Sequence, residues 1–167
     1  TFARYWMHNG FLNIDDQKMS KSLGNFYTTR QVAEEMGYEP IRYFMLSAHY
    51  RRPLNFSMEI LEQCKTSLER LYTCRENLDF AMANATAEGD ALLVDRAKEA
   101  VARFKERMDD DLNTADALGG LFDLVRDINT LSKDSSKETL VKTAEIFDNM
   151  SNVLGLLYNR ATSEVPA

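Results

Sequence analysis

Lys18-Met19-Ser20-Lys21-Ser22, followed by Leu23-Gly24-Asn25, is the stretch from which the rest of the chain can be read. Two lysines stand three residues apart with small hydroxyl side chains between and beside them. Gly24 follows, where the backbone is free to take an unusual dihedral. The run is too short and too polar for a core. It reads as a working loop that offers ammonium groups and hydroxyls to an anion. Lysine is a compact charge on a flexible stem, suited to following a phosphate that moves during reaction. Together with Ser20 and Ser22 the two lysines could hold a polyphosphate through charge-assisted bonds.

The residues before the loop prepare it. Phe2, Tyr5, Trp6 and Met7 form an aromatic-rich opening that suggests a buried strand or short helix, with His8 as a core or hydrogen-bonded histidine. After Gly10, Phe11-Leu12-Asn13-Ile14 reads as a short strand with Leu12 and Ile14 on one face. Asp15-Asp16 is a turn signal. A strand thus delivers the chain into the lysine loop, as rigid scaffolds commonly present working loops.

Beyond the loop the pattern becomes helical. Thr28 with Gln31 has capping-box spacing, and Gly37 is a natural stop. Glu39-Pro40 opens a second helix, with Ile41, Phe44, Met45 and Ala48 as its expected buried stripe and Arg42 and Tyr43 left off it. His49-Tyr50-Arg51-Arg52-Pro53 ends that helix. Arg51 and Arg52 beside two aromatic rings make a compact basic patch. It reads equally as cations complementing a helix C-terminus and as a contact for a nucleic-acid backbone.

Ser57 then caps a long helix whose apolar positions, Leu61, Cys64, Leu68, Leu71, Leu78 and Met82, are interrupted only by Arg75. Residues 83–89 form a small polar linker. A second long helix begins near Asp90 with Val94, Ala97, Val101, Phe104 and Met108 on one side. A third follows Asn113-Thr114 with Leu118, Leu121, Val125 and Ile128. Ser135 and Glu138 have capping-box spacing for a fourth, which carries Leu140, Ala144, Phe147 and Leu154. Four amphipathic helices with short connections predict an antiparallel bundle. The expected division is residues 1–56 as one unit, 57–158 as the helical bundle and 159–167 as a frayed tail. The fold is therefore mainly α, with one short strand and no strand–helix alternation long enough for a nucleotide-binding sheet.

Bulk properties narrow the function. The chain has 167 residues, 44% hydrophobic and 28% charged, within the ordinary globular range. No apolar run reaches the roughly 18 residues that span a bilayer. The net charge of −6 is unevenly spread: residues 1–56 hold seven Lys/Arg against five Asp/Glu, and residues 57–167 hold thirteen against twenty-one. The cations near the loop can face phosphates while the acidic bundle repels non-specific nucleic acid. Cys64 and Cys74, if both are helical, lie about 15 Å apart along the axis, too far for a disulfide or a shared zinc. They read as buried thiols of a reducing compartment. Asp109-Asp110-Asp111 reads as a solvated turn rather than a metal site, with Asn113 or Thr114 capping the next helix and Asp116 in its first turn.

The Lys18–Ser22 pentapeptide resembles the KMSKS signature of class I aminoacyl-tRNA synthetases at all five positions. Trp6-Met7-His8-Asn9-Gly10, Arg42-Tyr43-Phe44-Met45-Leu46-Ser47 with His49-Tyr50-Arg51, and Asp109-Asp110-Asp111-Leu112-Asn113-Thr114 extend the likeness over nearly the whole chain. Together they resemble the cysteinyl-tRNA synthetase family.

The resemblance implies the end of a class I α/β catalytic domain, a stem-contacting segment and a bundle like the DALR anticodon-binding domain. It implies ATP and cysteine as substrates, Mg accompanying ATP, tRNA(Cys) as partner, and a cytoplasmic monomer. Lys21 would be the main phosphate contact and Lys18 its support. The backbone near Met19 would lie against the adenine, and Ser20 and Ser22 would order the loop. Arg51 and Arg52 would meet the tRNA backbone. The family's HIGH signature and zinc ligands have no counterpart in these residues and belong upstream of Thr1, so zinc is expected outside this chain. The chain accordingly reads as the middle-to-late part of such an enzyme, unable to activate cysteine alone. Two other readings remain open: a relative that ligates cysteine to an amino sugar, and a purely RNA-docking helical module.

Overall fold

The computed structural model describes residues 2–14, 17–18 (backbone only) and 27–160. Three short strands and six helices follow in order: β1 (Leu12–Ile14), β2 (Gln17–Lys18), α1 (Thr29–Met36), α2 (Tyr38–Leu46), β3 (Leu54–Phe56), α3 (Met58–Asn84), α4 (Leu92–Asp109), α5 (Thr114–Leu131) and α6 (Lys137–Leu154). A 3₁₀ turn, Ser132–Asp134, lies between α5 and α6.

The sheet order is β2-β1-β3. β1 pairs antiparallel with β2 through Asn13–Lys18 and Ile14–Gln17, and parallel with β3 through Leu12–Leu54, Asn13–Asn55 and Ile14–Phe56. β3 is absent from the sequence reading, because three residues after a proline carry no periodicity that a window can detect. It exists because α1 and α2 form a crossover that returns the chain beside β1.

Residues 2–11 depart from expectation. Phe2, Tyr5, Trp6, Met7 and Phe11 are all exposed, and residues 2–11 form no regular element. His8 is exposed too, so it is not a core histidine. Aromatic content alone does not bury a segment; a facing surface must be present to cover it.

Helix starts follow local chemistry closely. Thr28 Oγ1 accepts from the Gln31 N–H at 3.2 Å and Gln31 Oε1 accepts from the Thr28 N–H at 2.9 Å, a complete capping box. Ser57 Oγ accepts from Ile60 N and Asn113 Oδ1 from Asp116 N, both at 3.2 Å. At α6 the cap is Ser136, whose Oγ accepts from Thr139 N; Ser135 instead donates to the Leu131 carbonyl at 2.9 Å. The Ser135–Glu138 box is therefore displaced by one residue, since the 3₁₀ turn consumes Ser135 before the helix begins.

The bundle α3–α6 is held by the predicted stripes, joined by positions the pattern left out. Leu61, Cys64, Leu68, Leu71 and Leu78 are buried on α3, with Cys74 beside them. Leu93 and Ala100 add to α4, and Leu124 to α5. α4 packs most extensively on α5. Arg75, the break in the α3 stripe, turns to Asp148 of α6 at 2.9 Å and also pairs with Asp79.

α2 faces α3 differently from the expected stripe. Glu39, Pro40, Tyr43 and Phe44 are buried, whereas Met45 is exposed. A carboxylate is inside because it is saturated with donors. Glu39 accepts from Tyr72 Oη at 2.7 Å, from Asn159 Nδ2 at 3.1 Å and from the Leu157 N–H. Asn159 and Arg160, expected in a frayed tail, are tied back: Asn159 N donates to Tyr72 Oη, and Arg160 Nη1 to Asp148 at 2.6 Å. A continuous hydrophobic cluster runs from Ile14 through α2 into the bundle.

Candidate functional site

Both roots of the lysine loop are fixed by packed structure. On one side β2 pairs with β1, which anchors the backbone of Lys18 to Asn13. On the other, the Tyr27 ring packs on Phe56 with centroids 6.0 Å apart, and Thr28 enters the α1 cap. Phe56 in turn meets Phe44 edge-on at 6.0 Å. Lys18 thus leaves from a strand and Tyr27 returns onto an aromatic cluster that joins β3 to α2. Met19, Ser20, Lys21 and Ser22 lie outside the described residues, as does the Lys18 side chain.

The topology brings the basic patch to the same end of the sheet. β2 runs back along β1, so the chain at Lys18 heads toward the end where residues 49–53 lead into β3. With strands about 4.8 Å apart, β2 and β3 are about 10 Å apart across β1. The 49–53 segment is clamped on the strand-side backbone: Gly10 N donates to the Tyr50 carbonyl at 2.7 Å and Leu54 N to Phe11 O at 2.9 Å. Gly10 is required there because a Cβ would lie 2.3 Å from the Arg52 carbonyl oxygen.

Arg51 is engaged by a partner that sequence reasoning passed over. Asp111, in the turn between α4 and α5, accepts from Arg51 Nε at 2.7 Å and Nη2 at 3.3 Å, and from Tyr50 Oη at 2.7 Å. The Tyr50 ring stacks on His49 at 4.8 Å, and Arg51 sits 5.4 Å above the Tyr50 centroid. His49 Nε2 is 3.7 Å from Asp111. The Tyr50 and Arg51 hydrogen bonds hold the Asp111 carboxyl below the ordinary aspartate range, and the bond to Asp111 raises the Arg51 pKa. Arg52 is exposed, with its N–H on the His49 carbonyl. The signal for Asp111 was present in Asp109–Asp111, but nothing in that run says which carboxylate turns inward.

Among the described residues no three His, Cys, Asp or Glu side chains are grouped to hold an ion. Cys64 and Cys74 are free and buried. Burial pushes the Cys64 thiol up and the Cys74 thiol up to about 12, the latter against the opposing charge of Arg75. Both are unsuited to act as thiolates. Among the described residues no helix is long and apolar enough to cross a membrane.

Comparison with known proteins converges on one group. Residues 1–66 match the tRNA synthetases class I (C) catalytic domain, and residues 103–158 match the DALR domain. The chain is 48% identical over 165 residues to a cysteine–tRNA ligase of Caldicellulosiruptor saccharolyticus, covering 98% of this chain and 36% of that protein. It is 44% identical over 162 residues to the cysteine–tRNA ligase of Clostridioides difficile, covering 94% and 35%. It therefore spans about a third of the length of the curated relatives it matches. Among solved structures, the Agrobacterium radiobacter K84 agnB2 LeuRS, in a ternary complex with tRNA and LeuAMS, superposes with a TM-score of 0.67 at 17% identity, covering 88% of this chain and 22% of that one. That likeness speaks for the fold. With these matches joined to the loop sequence, the chain belongs to the cysteinyl-tRNA synthetase family of class I synthetases.

Proposed function

We propose that this chain is the part of a cysteine–tRNA ligase that supplies the ATP-phosphate loop and the tRNA-docking helices. In the first step the carboxylate of cysteine attacks the α-phosphorus of ATP, forming cysteinyl-adenylate as pyrophosphate leaves. The cysteinyl group then passes to tRNA(Cys). Negative charge gathers on the α-phosphate and the departing diphosphate, so a cation that tightens there stabilises the transition state above the ground state. Lys21 takes that role, Lys18 supports it, the backbone near Met19 borders the adenine, and Ser20 and Ser22 order the loop. Residues 1–56 close the catalytic domain and residues 57–158 form the docking bundle. Arg51 and Arg52 meet the tRNA backbone. Mg accompanies ATP as substrate, and the protein works as a cytoplasmic monomer. Among the described residues no three His, Cys, Asp or Glu side chains are grouped to hold an ion, and this reading assigns no zinc ligand to these residues.

The observation that carries this reading is the complete Lys18–Ser22 signature within a chain 44–48% identical to cysteine–tRNA ligases. Its fixed roots at Lys18 and Tyr27 support it mechanically. The test is single-turnover adenylate formation in the full-length enzyme. Lys21→Ala slows that step by about 10²–10³-fold, in line with loss of one charge-stabilising donor, while ATP affinity changes far less. An unchanged single-turnover rate refutes the assignment of Lys21.

A further inference from the structure

Asp111 has an arrangement that stability alone does not explain. Asp111 and Leu112 both adopt positive φ, +53° and +55°, a conformation disfavoured for side-chain-bearing residues. The ion pair this creates is exposed, Arg51 at 64% and Asp111 at 45%, where such pairs contribute little. Strain kept without a matching gain in stability points to a function.

The turn is also seated firmly. Thr114 Oγ1 donates to the Leu46 carbonyl at the end of α2, at 2.9 Å. Asn113 N and Leu112 N return to the Arg107 and Met108 carbonyls at 3.1 Å. Asp111 is therefore delivered to the His49–Arg51 segment by a rigid part of the bundle.

The geometry of the pair decides its use. Asp111 takes the Nε–Nη2 edge of the guanidinium, and Tyr50 Oη takes a share of Nε at 3.0 Å. The Nη1 edge is left clear of that pair. An arginine fixed on one edge by a carboxylate and lying over an aromatic ring has lost much of its rotamer freedom before any anion arrives.

Resting on the tRNA-docking reading above, we propose that Asp111 is a positioning residue that pre-orients Arg51 to receive a backbone phosphate of RNA. It touches no RNA itself. The helical bundle thereby sets the geometry of a contact made by the segment beside the catalytic unit.

The test uses the full-length enzyme and tRNA(Cys) transcript, with affinity measured across salt. Asp111→Asn preserves the positive-φ backbone, which asparagine tolerates, and removes the charge. It is expected to raise the KM for tRNA about 5–10-fold with kcat held within about twofold, as for loss of one ordered phosphate contact. Arg51→Ala gives a similar loss and a salt slope smaller by about one. The double variant is no weaker than Arg51→Ala alone, because both changes remove the same contact. Asp111→Glu recovers part of the loss.

Tighter, more salt-dependent binding by Asp111→Asn would mean that the carboxylate masks Arg51, and overturns the proposal. So does a loss that adds fully to that of Arg51→Ala, or tRNA affinity unchanged in Asp111→Asn. A wild-type enzyme that forms adenylate yet binds no tRNA overturns this inference and the docking reading together, and leaves the role of Lys21 standing.

Discussion

At Gly10 a single hydrogen atom in place of a methyl group decides whether the basic segment can dock. The Arg52 carbonyl oxygen and carbon would lie 2.3 and 2.4 Å from a Cβ, and both belong to backbone that cannot rotate away. Gly10→Ala is expected to destabilise the protein by about 1–3 kcal/mol, the usual range for overpacking. Urea denaturation checks it; an unaltered midpoint means that residues 49–53 do not need the close approach. Residue-scale chemistry was only partly legible. The two lysines and Arg51 announce themselves by type, whereas Asp111 and Glu39 do not. Their importance comes from partners 60 and 118 residues distant in sequence.

Among elements, helix starts were easier to read than the faces helices bury. Caps depend on atoms three residues away, so Thr28, Ser57 and Asn113 follow from local sequence. The exception, α6, is instructive. Ser136 Oγ receives the Thr139 N–H, while Glu138 turns outward to Lys142 Nζ at 2.6 Å. Ser136→Ala should cost about 1 kcal/mol, the usual value of a lost N-cap. Glu138→Ala should leave stability nearly unchanged, as for an exposed ion pair. Equal losses in urea denaturation would restore the Ser135–Glu138 box. The face of α2 shows the opposite limit: its apolar pattern runs through Met45, but α3 and residues 157–159 supply donors that bury Glu39 instead.

Across the whole molecule, α2, α3 and the segment after α6 are locked by one polar network through Glu39 and Tyr72. Burial, reinforced by the hydrogen bond to Glu39, raises the Tyr72 pKa from 10.0 to about 12, and burial raises Cys74 from 9.0 to about 12. Groups raised in the folded state favour folding fully below their unfolded values and lose that contribution as pH climbs through the folded ones. Thermal stability should therefore decline between about pH 9 and 12, and Tyr72→Phe with Cys74→Ala should flatten the decline. A double variant as alkali-sensitive as its parent would remove both groups from the cause. The sequence by itself determined the Lys18–Ser22 signature, the family likeness, the helical class and most caps. Each of these rests on short stretches that can be read one at a time, without knowing which stretches meet in space. Only the tertiary structure decided that β3 pairs with β1, that Phe2, Tyr5, Trp6, Met7 and Phe11 lie exposed, that Glu39 is inside, and that Asp111 meets Arg51. Each of those depends on surfaces brought together by distant chain segments, and no local pattern encodes which donor a buried or strained carboxylate will find.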